Sequence, residues 1–102
     1  MKTTRELSCK LTSPALRERK ATVLASLKKK ILSRQELDSG YRYNFQGHDE
    51  VLDELVSFIK SERQCCDFFE FRLAVAGDGS EASLEITGPD GAKAFIETEL
   101  GL

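Results

Sequence analysis

Tyr41-Arg42-Tyr43-Asn44-Phe45-Gln46-Gly47-His48-Asp49-Glu50-Val51-Leu52 changes its period halfway along, and that change decides the fold. Up to Phe45 the pattern has a period of two. Tyr41, Tyr43 and Phe45 share one face, Arg42 and Asn44 the other, which predicts a half-buried strand. From Asp49 onward Val51, Leu52, Leu55, Phe58 and Ile59 recur at helical spacing, which predicts a helix over 49–63. Asp49, Glu50, Asp53 and Glu54 suit the positive end of that helix.

The same two periods organise the chain on either side. Upstream, Ser33 to Leu37 reads as a strand joined to the first through a three-residue loop, Asp38-Ser39-Gly40. Before it lies a helix with Ser13 as N-cap and Pro14 at its first position. Leu16, Val23, Leu24, Leu27 and Ile31 form its apolar side, while Arg17, Arg19, Lys20, Lys28, Lys29 and Lys30 carry charge. Leu7, Cys9 and Leu11 alternate with Ser8 and Lys10, a further short strand. Downstream, Phe69, Phe71, Leu73 and Val75 form a strand, Gly77-Asp78-Gly79-Ser80 a turn, and Leu84 and Ile86 another strand. Gly88-Pro89-Asp90-Gly91 then opens a last helix with Ala92, Phe95, Ile96 and Leu100 inward.

The expected order is β-α-β-β-α-β-β-α in a single domain over 1–102. This is an α+β fold, a mainly antiparallel sheet of about five strands with helices on one face. Its first six elements match the ferredoxin-like motif. At 102 residues such a chain can bury a core without staples.

The formal net charge is −2 with acids and bases interspersed, so no global field points to nucleic acid or an anionic membrane. The N-terminus is polar from Lys2 and no apolar run approaches a bilayer span, which sets the expected location in the cytoplasm. Three cysteines in a reducing compartment are buried apolar thiols or working ones.

Two of them are adjacent, Cys65-Cys66. Neighbouring cysteines do not bridge each other easily, because the bridge strains a small ring. Both can face one soft ion where the backbone is irregular. In a ferredoxin-like arrangement the strand after the second helix runs antiparallel beside the first strand. That would bring Cys9 to the same end of the sheet as Cys65 and Cys66. Three sulfurs suit a trigonal thiolate site for mercury(II), arsenic(III) or cadmium(II), with copper(I) and zinc(II) as further soft candidates. A structural zinc site wants four ligands, and His48 is a poor fourth. It sits at the opposite end of the second helix, roughly 25 Å from Cys65 at 1.5 Å per residue. Arg63 beside the pair would favour thiolate, or else is an exposed last-turn arginine interacting with the helix C-terminus.

Residues Glu62-Arg63-Gln64-Cys65-Cys66-Asp67-Phe68-Phe69-Glu70-Phe71, followed by Leu84-Glu85-Ile86-Thr87-Gly88-Pro89-Asp90-Gly91-Ala92-Lys93, resemble a family of small bacterial proteins of unassigned function. Its members carry Glu-Arg-x-Cys-Cys, an aromatic strand and a Gly-Pro-x-Gly turn. Similar segments occur appended to regulators of the mercury-resistance type. The Ser8-Cys9-Lys10-Leu11 and Gly40-Tyr41-Arg42-Tyr43 segments fit too, so the resemblance spans nearly the whole chain and implies a link to heavy metals. One position departs: the family has proline after the pair, whereas here Asp67 adds a carboxylate.

The expected function is a small non-enzymatic protein binding a thiophilic metal or metalloid through Cys9, Cys65 and Cys66. The alternatives are a non-catalytic interaction or dimerisation domain with structural thiols, and a thiol-redox protein. Redox pairs usually space their cysteines as Cys-x-x-Cys, and this pair does not. No hydrolytic or nucleotide-binding constellation stands out, nucleic acid and membrane are not expected partners, and an exposed sheet edge would suit a homodimer.

Overall fold

A computed structural model describes residues 14–102, so the strand expected at 7–11, Cys9 and the Ser13 cap lie outside the described residues. The order is α1 (Pro14–Lys30), β1 (Ser33–Leu37), β2 (Gly40–Gln46), α2 (Asp49–Cys65), β3 (Glu70–Val75), β4 (Glu81–Thr87) and α3 (Ala92–Phe95), followed by a π-helical turn, Ile96–Leu100. The fold is α+β, with four strands among the described residues.

All three strand pairings are antiparallel, in the order β1-β2-β4-β3. The place beside β2 that the ferredoxin-like motif gives to its first strand is therefore taken by β4. Strand β3 has β4 as its one neighbour among the described strands. The alternation sets which face is buried. Tyr41, Tyr43 and Phe45 pair across the inner face with Ile86, Leu84 and Ala82, and these pair in turn with Phe71, Leu73 and Val75. Leu24 and Leu27 of α1, and Val51, Leu55 and Phe58 of α2, close over that face as one core. The opposite face is polar. Across it Arg42 bridges the strands, its guanidinium donating to Glu85 at 2.6 Å and to Gln35 at 3.0 Å.

The hairpin differs from expectation in one respect. Gly40 pairs with Leu37 as the first residue of β2, leaving Asp38-Ser39 as a two-residue turn. Glycine stands there because β4 passes close by: a Cβ would lie 1.8 Å from the Ile86 carbonyl oxygen. The second helix runs two residues past its expected end, to Cys65. His48 is its N-cap residue and is exposed. No described helix is long and apolar enough to cross a membrane.

Helices α1 and α2 lie antiparallel, as their polar ties require. Lys30 and Ser26, late in α1, meet Glu54, early in α2. Lys20, early in α1, meets Glu62, late in α2. The second of these ties brings the chain to its cysteines.

Candidate functional site

The cysteine pair straddles the end of α2. Cys65 is the last helical residue, and Cys66 is the C-cap with φ −128° and ψ 76°. The Cys66 amide still donates to the Glu62 carbonyl at 2.6 Å, and the chain then turns, Phe69 N–H reaching back to the Cys66 carbonyl at 3.4 Å. At this break in the helix Cys66 goes fully inside, while Asp67 after it is exposed.

Cys66 is buried with Phe95, and Phe68 and Phe69 pack against them. The three rings make edge-on and tilted contacts, with centroids 4.5 to 5.7 Å apart. The aromatics after the pair thus form a dry wall around one thiol. The other side of that thiol is polar. Glu62 precedes Cys66 by four residues, one helical turn, and is fully buried itself. Neither of its carboxylate oxygens finds a hydrogen-bond partner of good geometry among the described residues. The Lys20 ammonium stands 3.2 Å from Oε2, its side chain only 15% exposed.

The electrostatics follow from this burial. Desolvation pushes the Glu62 carboxyl above its ordinary range, against the opposing charge of Lys20 and the nearby Cys66 thiol. The Cys66 thiol is pushed up to about 12, first by burial and then by the Glu62 charge, with a smaller push from Asp67. Cys66 is therefore a protonated thiol at neutral pH. For Cys66 this runs against the expectation that Arg63 would favour thiolate and agrees with the alternative of an exposed last-turn arginine. Arg63 is exposed, and Lys20 is the cation whose charge pulls the Cys66 value down, by less than burial and Glu62 push it up.

Among the described residues no three His, Cys, Asp or Glu side chains gather as a ready ligand set; Glu62 and Cys66 do lie against each other. The expected approach of Cys9 relied on a first strand lying beside the one after α2. Cys9 is outside the described residues, and the described neighbour of β3 is β4.

Glu62 and Lys20 are the residues that reading by charge overlooks, yet the pattern marks them. Val51, Leu55, Phe58 and Glu62 are spaced four, three and four apart, so Glu62 ends the buried stripe of α2. Lys20, Leu24 and Leu27 on α1, with Ile31 just past its end, repeat that spacing. A charge on each of two facing apolar stripes is the signal. Comparison of the chain with family models, with curated proteins and with solved structures finds no match, so what the site does has to be argued from its own chemistry.

Proposed function

We propose that the chain is a small cytoplasmic protein that binds a thiophilic metal or metalloid ion at the end of α2, through Cys66 and Cys65 with Cys9 as the third sulfur. One observation supports this above others. A fully buried carboxylate with no good hydrogen bond shares its site with a fully buried thiol. Buried polar groups are normally satisfied, and an unsatisfied one calls for a reason such as an ion. A soft ion replaces the thiol proton directly, so a thiol held protonated at neutral pH still serves as a ligand, with proton release on binding.

Titration of the reduced protein with mercury(II), arsenite, cadmium(II), zinc(II) and copper(I) tests the reading. One equivalent of at least one of these should raise a thiolate charge-transfer band, and Cys65→Ser and Cys66→Ser should each abolish it. Absence of such a band for every ion would overturn the proposal.

A second reading has its own support. Cys66 fills space among Phe68, Phe69 and Phe95, as buried free cysteine commonly does. A non-catalytic interaction domain with a structural thiol would show no band and a Cys66 inert to thiol reagents until unfolding. Redox chemistry asks for thiolate at neutral pH, and a thiol pushed up to about 12 offers little of it.

A further inference from the structure

Resting on that reading, we infer that the site is built for a divalent cation, with the Glu62 carboxylate as an oxygen ligand beside the thiols and Lys20 as the resident counter-charge.

The inference starts from what an apolar stripe would hold in the place of Glu62. Val51, Leu55 and Phe58 bury hydrocarbon against the sheet, and another leucine would continue them. Instead the position carries a carboxylate with no exposure. An ionised carboxylate has two oxygens and about four acceptor positions. Here the described surroundings supply Lys20 at 3.2 Å from Oε2 and no well-formed hydrogen bond to either oxygen. The carboxylate leans on the Lys20 charge and the Cys66 thiol and keeps acceptor positions to spare. Its place one turn before Cys66 puts oxygen and sulfur on the same side of α2 at the point where the helix ends.

The donor set narrows the ion. Thiolate sulfur favours soft and borderline metals, while carboxylate oxygen belongs to harder ones, so a mixed set fits zinc(II), cadmium(II) and similar dications. Trivalent arsenic, held by three thiolates, makes no use of Glu62. Charge points the same way: the Lys20 ammonium offsets one unit of the negative charge that Glu62 and the thiolates gather. A dication cancels more of the remainder than copper(I) does, beside a wall of phenylalanine rings that tolerates little unbalanced charge.

The test uses the reduced full-length protein, cadmium(II) and arsenite alone as probes, and the Glu62→Gln variant, whose side chain keeps the volume of glutamate. Cadmium affinity is read by competition with a chromophoric chelator. We expect Glu62→Gln to weaken cadmium binding about tenfold or more and to leave arsenite binding within about twofold. Equal cadmium affinity in the two proteins, or equal weakening of both probes, would overturn the inference while leaving metal binding intact. If cadmium does not bind the wild type while mercury(II) or copper(I) does, the inference fails and the parent reading stands; if none of the ions binds, the parent reading fails instead. Should the glutamine variant fail to fold, the ¹¹³Cd resonance of the wild-type complex decides. A mixed sulfur–oxygen shift, upfield of an all-thiolate site, supports Glu62 as ligand, and an all-thiolate shift overturns it.

Discussion

The same two helices are tied twice by a lysine on α1 and a glutamate on α2, and the ties are built in opposite ways. At one end Glu54 is well served: Lys30 Nζ lies 2.6 Å from one oxygen, and the Ser26 hydroxyl donates to the other at 2.6 Å. Both side chains of that ion pair are partly in water, 38% and 27% exposed. Partial burial alone would raise the Glu54 carboxyl, but the hydrogen bonds from Lys30 and Ser26 and the lysine charge outweigh it, and the net displacement is downward. At the other end Glu62 is fully dry, poorly hydrogen-bonded and displaced upward. An ion pair that only had to hold the helices together would resemble the first. The second gives up satisfaction where a thiol waits beside it.

The sharpest way to break this comparison is to remove one lysine at a time. Lys20→Met strands a buried carboxylate and should cost about 3 kcal/mol in denaturant unfolding at neutral pH. Changing both partners, Lys20→Met with Glu62→Leu, should restore stability to the wild-type value or above it, because apolar packing replaces a desolvated pair. A double variant as unstable as Lys20→Met would show that the pair is a net stabiliser, like its counterpart.

Alkali should single out the dry end next. The Cys66 thiol is raised from 9.0 to about 12 in the folded chain, so the native state holds that proton more tightly than the unfolded one. Its contribution is complete below pH 9.0 and is lost as pH rises toward 12. The stability difference between wild type and Cys66→Ala should narrow by roughly 3 kcal/mol by about pH 11. A pH-independent difference would mean that the thiol is more hydrated than its burial implies.

Acid separates the two carboxylates by sign. Both start from 4.5. The contribution of Glu54, displaced down, is present above that value and lost as pH falls through its folded value. The contribution of Glu62, displaced up, is present below it and lost as pH rises. Relative to wild type, Glu54→Gln and Glu62→Gln should therefore show pH–stability slopes of opposite sign across the carboxylate range. The smallest effect is expected from Glu54→Ala at neutral pH, about 0.5–1 kcal/mol, as for other solvent-accessible ion pairs.

These two ends also mark what could be read from residues alone. The switch of period between Phe45 and Val51 placed β2 and α2 correctly, because burial on one face leaves a direct imprint on apolar spacing. The strand boundaries of the hairpin are legible for the same reason, although spacing assigns Gly40 to the turn while its role in the fold is to admit the Ile86 carbonyl. The cysteine pair is visible in the sequence, but the inward course of Cys66 depends on where α2 ends, and that end lies two residues beyond the one its apolar spacing suggests. Strand neighbours were harder still. Nothing in the local pattern of residues 81–87 says that β4 lies between β2 and β3, since that choice depends on contacts distant in sequence. Lys20 and Glu62 were hidden by their chemistry: charge reads as surface unless its place on the stripe is weighed against it.

The buried pair on the facing stripes has a consequence for how the helices settle. Sliding α1 along α2 by one turn, about 5.4 Å, would leave leucines still meeting apolar neighbours, so hydrocarbon contact alone discriminates weakly between the two positions. Lys20 and Glu62 make that slide intolerable, because each charge would then face hydrocarbon unaccompanied. The pair works as a key cut for one position, and the leucine–methionine double variant, however stable, should sample more than one alignment.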